Sequence, residues 1–433
     1  MNLYNHTINL LETEGAFKLA DSIRQLEKQN KDVVKLNIGD PDFHVPEFVV
    51  AEIKHQLDIN NSHYCDPKGI YPLREVICEH IKQKNNIDFH PEQVVIFPGA
   101  KTAIGFCQQV YCNPGDEVIY PVPGFPVYEI FTKYWGSKAI PISLDESTHF
   151  KLTPEQLSQY VTKKTKLIYL NFPSNPTGAV LTEKELESLA EVILSKCHKN
   201  VRIFSDEIYE DLIYDNKPHR SIAQIPQMRD RTIISSGFSK NFAWTGGRVG
   251  YSIFPTIEEA DAFKNLNTNY FACVPPYHQC AAITALTHPD SQKYLQSVLT
   301  EYQHRRDIIT ELLNDIKGVS CHLPEGALYL YPNITQVCEH LGITHTYQHL
   351  SPHEKALTAP ATLFQLFALF QHQVGVLDQR SFGTQQNNDK SHVRLTLTAP
   401  LSVLKEGVKR MNHATQDVQG FQEYLDKKMT LYL

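Results

Sequence analysis

The sequence has no apolar run long enough to cross a membrane and no surplus of positive charge. A membrane-spanning helix needs about 20 consecutive apolar residues, and polar residues interrupt every apolar stretch of this 433-residue chain well before that length. The formal net charge is -7 at pH 7, whereas nucleic acids and anionic membranes attract basic surfaces. We therefore expect neither a membrane nor nucleic acid as a partner.

Cysteines are few, and their spacing does not suggest pairing. There are nine, an odd number, and none forms a Cys-x-x-Cys pair of the kind that binds zinc. Disulfide frameworks belong to oxidising compartments, so free thiols indicate a reducing one. We expect a cytoplasmic protein without a metal site.

Two glycine-containing strings lack the spacing of nucleotide-binding loops. Gly246, Gly247 and Gly250 do not follow the Gly-x-Gly-x-x-Gly pattern of dinucleotide sites. Gly99 precedes Lys101 and Thr102 without the upstream glycine of a P-loop. Neither string therefore predicts a nucleotide site.

The middle of the chain alternates short apolar runs with helical segments. Such a rhythm predicts a largely parallel sheet with helices on both faces, and the length suggests one large and one smaller domain. The runs that predict buried strands are residues 94–97, 116–120, 166–170, 201–205 and 231–234.

Polar and small residues follow four of the predicted strands. Gly99, Asn175, Asp206 and Lys240 each lie just beyond a strand end. In sheets of this type, ligands bind outside the carboxyl ends of the strands. The turn at Gly99 leads into a helix, whose free N–H groups and dipole favour a phosphate. This convergence predicts one ligand site.

Lys240 has the surroundings of a reactive amine. It stands among small residues with aromatics on both sides, and Arg248 follows eight positions later. Loss of solvation favours a neutral lysine, which can attack a carbonyl and form a Schiff base. A single lysine is more often a solvated loop residue, so the residues beyond the other strands carry the argument.

This segment resembles the cofactor-lysine motif of fold-type I pyridoxal-phosphate enzymes, in particular the class I/II aminotransferases, and the similarity continues in the family's order to Arg394. It implies an α/β fold with a mostly parallel seven-stranded sheet in an αβα sandwich, plus a smaller α+β domain. Residues 1–45 would form an N-terminal arm and part of the small domain. Residues 46–295 would form the large cofactor-binding domain, and residues 296–433 the small C-terminal domain.

The resemblance implies three catalytic residues. Lys240 would form an aldimine with pyridoxal 5'-phosphate and later move the substrate proton. Asp206 would bind the protonated pyridine nitrogen, which makes the ring an electron sink; an aspartate at a strand end can equally be a helix N-cap. Tyr209 and Asn175 would donate to the phenolic oxygen of the ring.

The resemblance also implies the remaining cofactor contacts. The backbone of Ala100 and Lys101, the Ser239 hydroxyl and the Arg248 guanidinium would bind the phosphate, and Phe125 would stack on the ring or belong to the core. Tyr64 would come from a neighbouring subunit, so we expect a homodimer with shared active sites. The family's usual serine three residues before the lysine is Gly237 here.

For the substrate, the resemblance implies that Arg394 pairs with the α-carboxylate, helped by Asn175 and the backbone of Gly39. It also makes the peptide bonds before Pro123 and Pro176 candidates for the cis form.

The expected reaction is transfer of an amino group from an L-amino acid to a 2-oxo acid by ping-pong chemistry. No arginine occurs between Arg248 and Arg305, where dicarboxylate-specific relatives often place one, and Tyr270, Phe271 and Tyr277 stand there instead. We expect a neutral or aromatic substrate side chain. A hypothesis for Arg380 is that it reaches the active-site mouth.

Two other functions fit the same motif. C–S β-lyases share the lysine, the aspartate and both arginines, and a cofactor-binding regulatory module would use the fold to bind a partner. Residues 333–362 are polar and rich in histidine, which favours a solvated surface insert, although His345 and His349 have the spacing of a metal pair on a helix. Under the regulatory alternative, this insert and the tail after Ala399 are the two candidates for binding another protein.

Overall fold

The protein folds around one large sheet and two small ones. A computed structural model describes residues 3–383, 389–427, 430 and 431. The strands in these residues are β1 (Val34–Lys35), β2 (Val94–Phe97), β3 (Glu117–Val122), β4 (Lys138–Ser143), β5 (Thr165–Asn171), β6 (Arg202–Asp206), β7 (Thr232–Gly237), β8 (Gly250–Ile253), β9 (Tyr329–Leu330), β10 (Val374–Gly375), β11 (Leu377–Asp378) and β12 (Val393–Thr396).

Helices cover both faces of the large sheet and surround the small ones. They are α1 (Gly15–Lys28), α2 (Glu47–Asp58), α3 (Tyr71–Asn85), α4 (Lys101–Tyr111), α5 (Val127–Tyr134), α6 (Pro154–Tyr160), α7 (Glu183–Lys196), α8 (Ile257–Tyr270), α9 (Pro276–Thr287), α10 (Ser291–Asn314), α11 (Thr335–His340), α12 (Ile343–His349), α13 (Pro352–Leu357), α14 (Pro360–His372), α15 (Leu401–Gln416) and α16 (Val418–Asp426). Among them, none combines the length and the apolar character needed to span a bilayer.

The large sheet has seven strands in the order β2-β8-β7-β6-β5-β3-β4. Only β8 runs antiparallel to its neighbours, β7 and β2. Alternate residues of one strand point to opposite faces, so Val95 and Phe97 pack in a core with α4 and α8, while Ile96 packs with α3 and α9. The predicted mostly parallel seven-stranded sheet is confirmed.

A second core surrounds the small sheets. Strands β11, β12 and β9 form an antiparallel sheet, and β1 pairs with β10 in parallel. Buried residues of α10, α14 and α15 pack against them. The division of the chain at residues 45 and 295 stays a prediction.

Local sequence signals explain several element boundaries. The Thr182 side chain accepts from the Glu185 backbone N–H, and Glu185 returns the contact to the Thr182 backbone, so a capping box begins α7. The segment 324–329, by contrast, is irregular up to Tyr329, where β9 begins. The backbone N–H groups of Glu325 and Gly326 donate to the Gly178 carbonyl, and Ala327 has a φ of 59°, which no strand accommodates.

The expectation of a solvated insert at residues 333–362 is wrong. The segment folds into α11, α12 and α13, and its apolar residues pack in the second core. Val337 and Leu341 lie four residues apart, on one helical face, and Ile343 is fully buried. The histidines occupy the opposite, exposed side, where His349 Nδ1 lies 2.8 Å from the His345 carbonyl oxygen.

A substitution pair tests whether this segment belongs to the core. Ile343→Ala is expected to lower the free energy of unfolding by about 2–5 kcal/mol, because it removes buried apolar volume and leaves a cavity. Gln348→Ala, on the exposed face of the same helix, should change it by less than about 0.5 kcal/mol. Urea unfolding measures both values, and equal effects would contradict the packing described here.

Candidate active site

The carboxyl ends of four strands meet at one edge of the large sheet. Ala100, Asn175 and Lys240 lie in the loops after β2, β5 and β7, and Asp206 is the last residue of β6. The peptide bonds Val122-Pro123 and Asn175-Pro176 are cis, as expected, and so is Phe172-Pro173. Because parallel strands end at the same edge, these distant parts of the sequence become neighbours.

Lys240 is bonded to the segment that follows β1. Its Nζ donates to the Gly39 carbonyl oxygen at 2.6 Å, and the side chain is half-buried. A Cβ atom added at Gly39 would lie 2.2 Å from the Tyr329 hydroxyl oxygen. The glycine therefore allows the backbone to approach both Lys240 and Tyr329.

Asp206 is a buried carboxylate at the end of β6. Its Oδ2 accepts from the Tyr128 hydroxyl at 2.7 Å, and Oδ1 lies 3.4 Å from the backbone nitrogen of Ile208. Burial raises the pKa of Asp206 to about 6, and the two hydrogen bonds oppose this shift. A cation bound nearby would therefore stabilise the ionised form of the Asp206 carboxylate.

Tyr209 forms a pair with a residue that the sequence analysis did not name. Its hydroxyl lies 2.8 Å from that of Tyr329, and the two rings meet edge to face. Burial raises the pKa of Tyr209 well above its ordinary value. The Tyr209 hydroxyl therefore remains protonated and can donate a hydrogen bond to a ligand.

Arg394 lies buried between two aromatic rings. Its Cζ is 4.3 Å from the Tyr329 ring centroid and 4.7 Å from that of Phe382. Nη1 donates to Asn175 Oδ1 at 2.9 Å and Nη2 to the Asn37 carbonyl at 2.6 Å. Nε, which is also buried, has no partner within the part of the chain that the structure describes. Because a guanidinium has five donor hydrogens, this one retains capacity for a carboxylate.

The turn between β2 and α4 packs against Arg248. Arg248 donates to the carbonyl oxygens of Thr245 at 2.8 Å and Pro98 at 3.3 Å. A Cβ at Gly250 would lie 2.3 Å from the Ala100 backbone nitrogen, so only glycine fits there. The arginine and the N-terminus of α4 thus form a positive surface suited to an anion. Ser239 is buried in the loop before Lys240.

The Lys101 side chain points to the mouth of this site. Its Nζ is ion-paired with Glu14 at 2.5 Å and lies 5.3 Å from the centroid of the Phe125 ring. The sequence analysis considered only the Lys101 backbone. The pair places one cation, neutralised by one carboxylate, beside the predicted stacking ring.

Two further residues named from the sequence are Tyr64 and Arg380. Tyr64 is 89% exposed, so its role awaits a second subunit and stays a prediction. The hypothesis that Arg380 reaches the active-site mouth stays a prediction. Its guanidinium donates to the carbonyl oxygens of Thr358 at 2.7 Å and Ala356 at 2.8 Å, where it caps the end of α13.

One set of described residues has the spacing of metal ligands. Ligand atoms of Glu207, Glu210 and His219 lie within 4.8 Å of one another. The Lys84 ammonium, however, lies 3.0 Å from Glu210 Oε2 and already supplies a positive charge to this set.

Comparison with known proteins identifies the family. A family model described as "Aminotransferase class I and II" matches residues 31–411. The chain belongs to the class I and II aminotransferase family. Among relatives of this aminotransferase, the aspartate aminotransferase of Bacillus subtilis (strain 168) is 32% identical over 405 residues, which cover 93% of this chain and 96% of the relative.

Other relatives carry different substrate names. "Aromatic-amino-acid aminotransferase 2" of Thermococcus litoralis is 34% identical over 330 residues, covering 76% of this chain and 81% of the relative. The crystal structure of the aspartate aminotransferase from Rhizobium meliloti superposes with a TM-score of 0.85 at 27% identity, covering 96% of this chain and 99% of that one. The family and the fold of this aminotransferase are therefore established, whereas its substrate is a separate question.

Sequence reasoning missed three neighbours of the site in this aminotransferase: Tyr128, Tyr329 and Phe382. Tyr128 lies three residues after Phe125, close to the spacing of one helical turn, which was an available signal. Tyr329 belongs to the second core and Phe382 to a different apolar cluster, and only the folded chain brings them to Arg394.

The burial of Asp206 predicts a pH-dependent stability for the cofactor-free protein. Its folded pKa of about 6 lies above the ordinary 3.8, so the folded state binds the proton more tightly, and stability falls as pH rises through about 6. Asp206→Asn has no carboxyl group to ionise and therefore does not lose stability in this way. We expect the stability of the variant relative to wild type to increase by about 2–3 kcal/mol between about pH 3.5 and pH 8.

Urea unfolding at several pH values, without cofactor, measures this difference. Asp58→Asn replaces an exposed carboxylate and serves as the control, for which we expect little change with pH. A relative stability of Asp206→Asn that stays constant with pH would contradict the described environment of Asp206.

Proposed function

We propose that this aminotransferase uses pyridoxal 5'-phosphate held by Lys240 to move an amino group from an L-amino acid to a 2-oxo acid in two half-reactions. The observation that carries the proposal is one backbone segment: the Asn37 carbonyl accepts from Arg394, and the Gly39 carbonyl accepts from Lys240, each at 2.6 Å. The segment from Asn37 to Gly39 therefore lies between the Arg394 guanidinium, which suits a substrate carboxylate, and the Lys240 amine, which suits a carbonyl carbon.

The residues present fit this cofactor. The α4 N-terminus, Ser239 and Arg248 offer donors to a phosphate. The buried Asp206 carboxylate offers a negative charge to a ring nitrogen, and the Arg394 Nε, which lacks a partner among the described residues, offers a donor to a substrate carboxylate.

When bound, the cofactor supplies an aldehyde and an electron-withdrawing protonated pyridine ring. Asp206 would stabilise that ring proton, because an ionised carboxylate in a buried site attracts a positive charge strongly. Arg394 would orient the substrate by its α-carboxylate, and Tyr209 with Asn175 would donate to the phenolic oxygen. Lys240, once its amine is free, would carry the proton from the substrate α-carbon.

We further propose a neutral or aromatic substrate side chain. The cation beside Phe125, Lys101, is neutralised by Glu14, so a dicarboxylate would have to displace Glu14 to pair with it. The dicarboxylate alternative has support in the names of relatives such as the Bacillus subtilis aspartate aminotransferase. Tyr64 would complete the phosphate site from the second subunit of a homodimer.

Borohydride trapping tests the attachment of the cofactor. The protein is incubated with pyridoxal phosphate, reduced, digested and analysed by mass spectrometry. We expect the peptide that contains Lys240 to carry the mass of a reduced pyridoxyl group, and Lys240→Ala to abolish the modification at this peptide. An unmodified Lys240 peptide from the wild-type protein would disprove the proposal.

A spectral titration tests the substrate class. Each amino acid is added without a 2-oxo acid, and the donor is the one that converts the cofactor absorption from the aldehyde to the amine form. We expect conversion with phenylalanine, tyrosine or neutral amino acids at lower concentration than with aspartate. Release of ammonia and pyruvate from a cysteine conjugate would instead indicate a C–S β-lyase.

Glu14 provides a mutational test of the same point. Glu14→Gln is expected to raise kcat/KM for aspartate relative to phenylalanine about fivefold, because releasing Lys101 from an ion pair is worth about 1 kcal/mol. The exposed Glu12→Gln is the matched control and should leave the ratio unchanged. An unchanged ratio in Glu14→Gln would show that Lys101 does not contact the substrate side chain.

A further inference from the structure

A partly buried ionic cluster joins α3 to the segments that follow β6 and β7. The Lys84 ammonium lies 3.0 Å from Glu210 Oε2 and forms a second ion pair with Asp211. The side chains of Lys84, Glu210 and Asp211 are only 21%, 2% and 15% exposed. Within the part of the chain that the structure describes, none of these three side chains is hydrogen-bonded or ion-paired to a side chain proposed to bind cofactor or substrate, so the reaction chemistry does not explain them.

The carboxylates of this cluster hold the loop that carries Lys240. Asp211 Oδ2 accepts from Asn241 Nδ2 at 2.8 Å, and Asn241 is the residue directly after Lys240. Glu210 Oε1 accepts from the Ser236 hydroxyl at 2.7 Å, near the end of β7. One cation is thereby connected through two carboxylates to both ends of the segment from Ser236 to Asn241.

The same carboxylates lie on the turn that follows Asp206. Glu210 and Asp211 come directly after Tyr209, and the Glu207 backbone N–H donates to the Ser235 carbonyl at 2.8 Å. The cluster therefore connects the two loops whose separation sets the distance between Lys240 and Asp206.

Lys84 is the largest single influence that favours the ionised form of both carboxylates. Burial raises the pKa of Asp211, but the Lys84 ammonium, His80 and the hydrogen bond from Asn241 together outweigh burial, and the pKa falls below its ordinary value. Burial lowers the pKa of Lys84, and the charges of Asp211 and Glu210 reverse that effect as well. His80 and His219 are the other titratable groups that act on these carboxylates.

Removal of the ammonium would leave two adjacent carboxylates with no counter-ion of comparable proximity. Buried like charges repel strongly, and the response with the smallest cost is uptake of a proton or rotation toward solvent. Either response weakens the bond from Asn241 or from Ser236, because both donors depend on an ionised, fixed carboxylate.

We infer that Lys84 is a positioning residue, which through Glu210 and Asp211 sets the geometry of Lys240 relative to Asp206; the inference rests on the function proposed above. It predicts that loss of the Lys84 charge alters the reactivity of Lys240 and leaves recognition of the α-carboxylate by Arg394 intact.

The test compares Lys84→Met, Lys84→Arg and the exposed control Lys82→Met in the cofactor-loaded enzyme. For Lys84→Met we expect kcat to fall about tenfold or more, because small misplacements of reacting groups have effects of this size, with KM for the amino acid changed less than about threefold. The pH midpoint of the cofactor absorption should shift by at least about 0.5 unit.

The conservative variant separates positioning from simple stability. Lys84→Arg keeps the charge and should recover most of kcat and the spectral midpoint, whereas Lys82→Met should match wild type. A Lys84→Met enzyme with wild-type kcat and midpoint would overturn the inference, even if its thermal stability were lower.

A second variant tests the inference if Lys84→Met does not fold. Asn241→Ala removes the link from Asp211 to the lysine loop, together with one local hydrogen bond from the Phe242 backbone N–H, and should produce the same spectral shift. An unshifted midpoint would overturn the inference. Borohydride trapping on the wild type separates the two proposals. If Lys240 carries no pyridoxyl group, both proposals are overturned. If Lys240 carries the group but Lys84→Met and Asn241→Ala have the wild-type spectral midpoint, only the positioning role of Lys84 is overturned.

Discussion

Two carbonyl oxygens of one short segment, those of Asn37 and Gly39, accept hydrogen bonds from Arg394 and Lys240, each at 2.6 Å. The segment follows β1, which pairs with β10 and lies outside the large sheet. Lys240, by contrast, follows β7 in the centre of that sheet. These bonds therefore connect the segment after β1 to both the lysine loop and β12, and the relative positions of the lysine and the guanidinium depend on them.

The charged side chains around this segment are mostly buried, and neighbouring groups offset part of the free-energy cost of their burial. Arg394 lies between the rings of Tyr329 and Phe382, which provide electron-rich faces to a cation with little water nearby. Asp206 accepts a hydrogen bond from one hydroxyl group, and burial raises its pKa. A site of this kind is costly without its ligands and becomes favourable once opposite charges bind, which is the usual condition of an active site.

The sequence predicted the sheet and the strand-end residues because both follow from local patterns. Val94 to Phe97 is apolar throughout, and the structure has a strand with the same limits. Lys240, Asp206 and Arg394 were named from motifs, and their roles stay predictions. The contacts of Arg380 could not be predicted because its partners, the carbonyls at the end of α13, are backbone groups that no sequence motif reveals. Segment 333–362 was misjudged because its composition is polar while a few apolar residues decide its packing.

The order of the large sheet has a consequence for synthesis of the chain. Strand β2 is the second strand in sequence, yet its single neighbour within the sheet is β8, which ends at Ile253. Until the ribosome has released that part of the chain, β2 and the turn at Ala100 have no partner strand, and Gly250 has not yet closed on the turn. The N-terminal end of α4, which we propose binds a phosphate, is thus assembled late, although its residues are translated early, and a nascent chain that stops before β8 exposes an unpaired apolar edge.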